Sequence, residues 1–165
     1  MSADERTLLA EMLRERIYAT ITLLAVVAAL WQHPDEHQPL GAIGVILGTV
    51  VALWLATIVA ARISYTAVHG AAIHKEPKYL EASKAASGLL TPAGPPIFFI
   101  LLSMAGICSL KTALFIGMLS LLASLFLFSV MSGNRVTDGK VKLLVFSAMQ
   151  TIIGIGVVLL KLAVE

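Results

Sequence analysis

Residues 40–61 have the sequence LGAIGVILGTVVALWLATIVAA, in which no side chain carries a charge. An α-helix needs about 20 consecutive apolar residues to cross the hydrocarbon core of a bilayer. This run is long enough, and its many glycine and alanine residues suit a helix that packs closely against others in lipid. The stretch therefore predicts a transmembrane helix.

Four other apolar stretches extend this prediction to the whole chain. We expect about five transmembrane helices, at residues 17–33, 40–61, 93–107, 110–132 and 143–161. The third is short because the cluster at Pro92, Pro95 and Pro96 cannot lie inside a regular helix. The predicted fold is an all-α polytopic membrane helix bundle, a single domain over residues 1–165 with an amphipathic cytoplasmic segment at residues 62–90.

Composition supports a membrane protein and excludes several other classes. The chain is 58% hydrophobic and 13% charged, and its mean hydropathy is +0.90. A water-soluble fold of this size cannot bury so much apolar surface. The net charge of +2 is too small to predict nucleic-acid binding. The single cysteine, Cys108, excludes an intrachain disulfide and indicates a small buried side chain.

Basic residues collect on alternate sides of the predicted spans, as they do in membrane proteins, whose cytoplasmic segments carry most Lys and Arg. Most of the 12 basic residues fall before the first span or in the second and fourth connections: Arg6, Arg14, Arg16, Arg62, Lys75, Lys78, Lys84, Arg135, Lys140 and Lys142. Only Lys111 and Lys161 fall on the other side. We therefore expect a multi-pass protein of the inner or plasma membrane, with a cytoplasmic N-terminus and an external C-terminus.

Hydroxyl and amide side chains within the last two spans are the candidates for a functional surface. They are Ser120, Ser124, Ser147, Gln150 and Thr151. They could line a narrow hydrated passage, or they could satisfy one another where helices pack. No ionisable residue lies in the middle of any predicted span. This absence disfavours proton-coupled carriers and voltage sensors and leaves a passive pore possible.

Small residues recur at helical spacing and predict close helix packing. On the second span they follow one another every four residues, at Gly44, Gly48, Ala52 and Ala56. Gly117 on the fourth span and Gly154 on the fifth belong to the same class. Such positions let two helix backbones approach closely in lipid.

Histidine and carboxylate residues occur together in two places and suggest possible metal ligands. The first group is His33, Asp35, Glu36 and His37, in the first external loop. The second is His69, His74 and Glu76, in the cytoplasmic segment. A solvated polar loop explains the same composition, and neither group matches an established metal motif. No cofactor is therefore expected.

No residue pattern predicts an enzyme, since the chain has neither a Gly-x-Ser-x-Gly elbow nor a phosphate-binding glycine loop. Our first hypothesis is an oligomeric membrane channel or facilitator for a small ion or polar solute. The alternative is a non-catalytic accessory or assembly subunit of a larger membrane complex. Either function implies a lipid bilayer and a second membrane chain, in a homo-oligomer or in another protein.

Three short segments resemble a group of small, uncharacterised bacterial multi-pass membrane proteins: residues 65–69, 105–109 and 154–161. The layout of two spans, a cytoplasmic helical segment and three spans is also similar to that of the vacuolar iron transporter family. The intramembrane acidic residues and the glutamate-rich metal site of that family are missing from this sequence. The resemblance therefore implies a helix layout and does not imply iron transport.

Overall fold

The structure is a computed structural model that describes residues 3–69, 87–133 and 140–164. Within these ranges the chain is all-helical, without a strand, so the all-α prediction is confirmed. The described ranges contain five α-helices: Ala3–Gln32 (α1), Pro39–His69 (α2), Gly94–Met104 (α3), Leu110–Gly133 (α4) and Lys140–Val164 (α5). Two 3-10 helices, Pro34–Glu36 (η1) and Ser87–Ala93 (η2), precede α2 and α3.

Two of the described helices are long and apolar enough to cross a membrane. The qualifying segments are Pro39–Ser64 in α2 and Leu110–Met131 in α4, each with a mean hydropathy of 2.4. They correspond to the second and fourth predicted spans. Gly88–Met104 and Ser147–Leu160 are shorter apolar helices.

Three helices extend beyond the predicted spans by at least three residues, α5 by three at each end and α1 and α2 by more. The first predicted span starts at residue 17, whereas α1 begins at Ala3, so the N-terminal segment continues the same helix. The second predicted span ends at residue 61, but α2 continues to His69. The first part of the predicted cytoplasmic segment is therefore a helical continuation of α2, and η2 forms its end. Residues 70–86 of that segment lie outside the described ranges.

The helices α1 and α4 form the centre of the bundle and run antiparallel. Trp31, near the end of α1, lies beside Phe115 in the first turns of α4, with ring centroids 6.1 Å apart. The ammonium group of Lys111 lies 5.6 Å from the centroid of the Trp31 ring, within the range of a cation–π contact. On other sides α4 packs against α3 and α5. The core is built from buried apolar side chains of all five helices, among them Leu23, Leu24, Val27, Ile46, Val50, Ile100, Leu114, Leu121 and Val158.

The proline cluster forms a 3-10 helix that leads into α3. Pro92 lies inside η2, and Pro95 and Pro96 lie in the first turn of α3, where a missing N–H costs no helical hydrogen bond. A 3-10 helix rises about 2.0 Å per residue and an α-helix about 1.5 Å. The seven residues of η2 and the 11 of α3 together therefore extend about 30 Å. That length matches the hydrocarbon thickness of a bilayer, although α3 alone is too short.

A tight hairpin joins α3 to α4. Gly106 has a φ of 78°, and the N–H groups of Gly106 and Ile107 donate to the carbonyl oxygens of Ser103 and Leu102. This pair of bonds is a Schellman motif, which satisfies the last carbonyls of α3 and favours glycine at the left-handed position. Ser109 then caps α4, since its hydroxyl accepts the backbone N–H of Thr112 at 3.2 Å.

Candidate functional site

The two serines predicted to line a passage on α4 are bonded to their own helix. The Ser120 hydroxyl donates to the carbonyl of Gly117 at 2.6 Å, and the Ser124 hydroxyl donates to the carbonyl of Ser120 at 2.9 Å. Gly117, Ser120 and Ser124 share one face of α4, because they are three and four residues apart. This face lies toward α3: a Cβ added at Gly117 would be 3.2 Å from the Cα of Pro96.

The predicted polar residues of α5 lie on a different side of α4. Ser147, Thr151 and Gly154 share one face of α5, and a Cβ at Gly154 would be 2.7 Å from Cδ2 of Leu125. The α4 side chains that meet α5 at Gly154 are therefore Leu122 and Leu125, and not Ser120 or Ser124. The single chain does not bring Ser120 and Ser124 together with Ser147 and Thr151. The side chain of Gln150 lies outside the described part of the structure.

Buried hydroxyl groups occur on three helices of the bundle. Thr20 on α1, Ser129 on α4 and Ser147 on α5 are the buried polar residues of the described side chains. The hydroxyls of Thr20 and Ser129 donate to the carbonyls of Arg16 and Leu125, at 2.7 and 2.9 Å. The Ser147 hydroxyl is fully buried and has no hydrogen-bond partner among the described residues.

The burial of Thr20 and Ser129 was not predicted from the sequence. Thr20 lies three and seven residues before Leu23 and Val27, which are buried, so helical spacing places all three on one face. Applying this spacing to α1 identifies Thr20 as buried. Both hydroxyls are bonded within their own helices, as serine and threonine commonly are in membrane helices.

The small-residue series on α2 begins on the side of the helix that faces away from the bundle. Ala42, Ile46 and Val50 are buried in the core, whereas Gly44, Gly48, Ala52 and Ala56 are exposed. A Cβ added at Gly44 or Gly48 would meet no atom within 4 Å. A step of four residues turns the series by about 40° each time. By Ala60 the series has turned toward α1 and borders a groove.

The first predicted histidine group lies between α1 and α2. Nδ1 of His33 is 3.9 Å from Oε1 of Glu36, one turn of η1 away. Asp35 and Glu36 are exposed, and His37 is partly buried. The described side chains contain no group of three or more His, Cys, Asp or Glu residues close enough to share a metal ion. In the second predicted group, the side chain of His69 and all of His74 and Glu76 lie outside the described residues.

A charged groove of about 520 Å³ lies between the N-terminal half of α1 and the C-terminal half of α2. Its α1 wall contains Glu11, Arg14, Glu15 and Tyr18. Nη2 of Arg14 donates to Oε1 of Glu15 at 3.1 Å, and the Glu15 side chain is only 13% exposed. The α2 wall contains four small side chains, which leave the space unfilled: Thr57, Ala60, Ala61 and Ser64.

A second groove of about 610 Å³, the apolar groove, lies at the other end of the same helix pair, and five of its eight lining residues are apolar. Ala25, Val26 and Ala29 of α1 and Val45 of α2 contribute to its walls, and His33, Glu36 and His37 lie at its outer end. Neither groove was predicted from the sequence. The available signal was the run of small residues at positions 57, 60, 61 and 64, whose helical spacing puts them on one face of α2.

Arg16 packs against the start of η2 on a different face of α1. A Cβ added at Gly88 would lie 3.3 Å from Cγ of Arg16 and 3.5 Å from the carbonyl oxygen of Met12. The Nε atom of Arg16 is buried and has no partner among the described residues. The glycine therefore permits a close approach between α1 and η2.

Comparison of the chain with known proteins finds no matching family model, no similar curated protein and no similar solved structure.

Proposed function

We propose that this chain is a multi-pass membrane protein that acts by assembly, as a non-catalytic subunit that docks onto a partner membrane protein through the exposed face of α2. Two helices long and apolar enough to cross a membrane support the membrane location. The η2–α3 element, about 30 Å long, is compatible with a further span.

The proposed topology has about five spans, a cytoplasmic N-terminus and an external C-terminus. Its main support is the partition of Lys and Arg along the sequence. The packing directions agree with it: residues 11–18 of α1 face residues 57–64 of α2, so these helices are antiparallel. Trp31, near the end of α1, contacts Phe115, near the start of α4, so these two helices are antiparallel as well.

The observation that carries the assembly function is the outward direction of Gly44 and Gly48. They lie opposite Ala42, Ile46 and Val50, through which α2 joins the core. Nothing in the described chain comes within 4 Å of a Cβ placed at either glycine. The two residues form the Gly-x-x-x-Gly pattern, which lets a second helix pack closely in a membrane.

Lipid chains form few favourable contacts with such a surface, whereas a second helix forms more. Lipid chains are as apolar as leucine, so helices in a bilayer associate through close van der Waals packing and not through the hydrophobic effect. A glycine position lets two helix backbones approach closely and form more van der Waals contacts. Docking of a partner helix on Gly44 and Gly48 supplies these contacts.

Purification from the native host in a mild detergent tests the proposal. We expect a stoichiometric membrane companion with the wild-type chain and with Leu47→Ile, and loss of that companion with Gly48→Leu. A stable homo-oligomer without a companion would contradict the accessory role. A companion that remains with Gly48→Leu would show that α2 is not the docking face.

A channel or facilitator is the second candidate, and the buried Ser147 hydroxyl favours it. A buried hydroxyl without a partner is costly unless water or a passing solute satisfies it. Ser120, Ser124 and Thr151 give less support because their hydroxyls are bonded to backbone carbonyls. Flux measurements in proteoliposomes distinguish the candidates, since a channel requires selective flux that Ser147→Val reduces and an assembly subunit requires none.

A further inference from the structure

We propose that the seam between α1 and α2 binds one phospholipid whose headgroup carries a primary ammonium beside its phosphate. The charged groove receives the headgroup, and the apolar groove receives part of an acyl chain. The inference rests on the membrane location proposed above and is independent of the docking face on α2.

The two grooves belong to one continuous face of α1. Glu11, Glu15 and Tyr18 line the first groove, and Ala25 and Ala29 line the second. These residues follow one another at intervals of three, four or seven positions, so they share one side of the helix. The α1–α2 pair therefore leaves open spaces at two points along a single seam.

The separation of the grooves fits one lipid molecule. Glu15 and Val26 are separated by about 16 Å along the axis of α1. Half of the hydrocarbon core of a bilayer is about 15 Å thick, which is the reach of one acyl chain along the membrane normal. A lipid with its headgroup beside Glu15 therefore places its chain end in the apolar groove, beside Ala25 and Val26.

The charged groove lies at the cytoplasmic boundary of the proposed topology, where headgroups are located. Glu11 and Glu15 supply two carboxylates, and Arg14 supplies one guanidinium. The polar lining is completed by three hydroxyls, those of Tyr18, Thr57 and Ser64. The groove therefore offers two carboxylate acceptors to a cation and one cationic donor group, the guanidinium of Arg14, to a phosphate.

Three headgroup classes differ in how they match this groove. A primary ammonium has three N–H donors and forms charge-assisted bonds with carboxylates, whereas a quaternary ammonium has none. Quaternary groups are usually held by several aromatic rings, and this groove contains only Tyr18. An anionic headgroup without an amine would be repelled by two carboxylates and attracted by one guanidinium. The primary ammonium is therefore the best match.

Lipid titration of the purified full-length chain in mild detergent, followed by native mass spectrometry, tests the proposal. The probes are phosphatidylethanolamine, phosphatidylcholine and phosphatidylglycerol with identical acyl chains. We expect the wild-type chain to bind phosphatidylethanolamine about tenfold more tightly than the other two. Equal occupancy by phosphatidylethanolamine and phosphatidylcholine, or preference for phosphatidylglycerol, would overturn the proposal.

Two variants and one control assign the preference to the seam. Glu15→Gln keeps the shape of the side chain and should remove the preference, whereas Asp35→Asn, which changes an exposed carboxylate outside both grooves, should keep it. Ala60→Phe fills the charged groove from an exposed position and should lower binding of all three lipids. An unchanged preference in Glu15→Gln, or unchanged binding in folded Ala60→Phe, would exclude this site.

Gly48→Leu separates this inference from the proposed function. The substitution lies outside both grooves and should change assembly without changing lipid preference. A chain that prefers phosphatidylethanolamine but assembles with nothing would contradict the docking role alone. A chain that assembles but does not discriminate between the lipids would contradict the lipid site alone.

Discussion

Gly117 on α4 packs against Pro96 on α3 so closely that a Cβ at Gly117 would lie 3.2 Å from Cα and 3.3 Å from Cβ of Pro96. Pro96 is buried in the first turn of α3, where its ring fixes the backbone. The neighbour therefore cannot move away easily. This contact sets the distance between the two helices of the hairpin and makes glycine a packing requirement.

Gly117→Ala should lower the free energy of unfolding by about 1 kcal/mol, because the new methyl group overpacks the contact with Pro96. Gly156→Ala is the matched control, since a Cβ there meets nothing within 4 Å. That control should be neutral or stabilising, because alanine favours a helix over glycine. Reversible unfolding in mixed detergent micelles measures both changes. Equal stability of the two variants would contradict the close contact between Gly117 and Pro96.

Gly48→Leu should weaken association with a partner and leave the stability of the isolated chain unchanged. The reason is that no described atom lies within 4 Å of a Cβ at this position. Overpacking in a docked helix pair would cost about 1 to 3 kcal/mol. Leu47→Ile, which keeps the side-chain volume, is the control for hydrophobicity. Loss of stability in the isolated Gly48→Leu chain would place the residue inside the bundle.

Ser147→Ala should be neutral or should stabilise the chain, by up to about 1 kcal/mol. The substitution removes a fully buried hydroxyl that has no described partner, and an unpaired buried polar group is costly. Ser129→Ala provides the comparison, because its hydroxyl is bonded to the carbonyl of Leu125. Detergent-unfolding curves report both effects. A clear loss of stability in Ser147→Ala would show that water or a further side chain satisfies the hydroxyl.

Gly106→Ala should destabilise the α3–α4 hairpin by about 1 kcal/mol, because a side chain at a positive φ crowds the backbone. Gly41→Ala is the control, since this glycine lies in a helix and has nothing within 4 Å of a Cβ. Thermal unfolding in detergent would measure the difference. Identical melting temperatures would indicate a different turn at Gly106.

Reporter tags at the N-terminus, near Lys84 and near Lys140 should be cytoplasmic, while tags near Asp35 and at Glu165 should be external. The expectation combines the Lys and Arg partition with about five spans. Paired phosphatase and fluorescent-protein fusions measure each location. A cytoplasmic tag at Glu165 would require an even number of spans.

The apolar helices could be predicted from the sequence because length and lack of charge determine them. The side of α4 that packs against α5 could not be predicted from the sequence. Both the side with Gly117 and Ser120 and the side with Leu122 and Leu125 are acceptable as packing surfaces in lipid, so the pattern does not specify which one meets α5. The contacts of Gly117 with Pro96 and of Gly154 with Leu125 decide the rotation of the helix.

The outward direction of Gly44 and Gly48 was also not predictable from the sequence. A series of small residues indicates that a backbone can approach, without indicating whether it belongs to the same chain. The buried positions Ala42, Ile46 and Val50 are equally apolar, so the two faces of α2 have no contrast in polarity. Large apolar side chains lie on both faces, for example Ile46 in the core and Leu47 on the exposed side, so side-chain size does not distinguish the two faces either.

In the proposed topology, the three prolines around η2 fix the length with which the η2–α3 element crosses the bilayer. If the seven residues of η2 continued as an α-helix, the element would be about 3.5 Å shorter. The surrounding bilayer would then have to become thinner, at a cost that grows with each ångström of mismatch. Pro92, Pro95 and Pro96 prevent this change, because a regular α-helix through them would lose hydrogen bonds and clash with the preceding turn. In the proposed topology, a change of helical pitch, and not additional residues, thereby gives the shortest α-helix of the bundle enough length to cross a membrane of ordinary thickness.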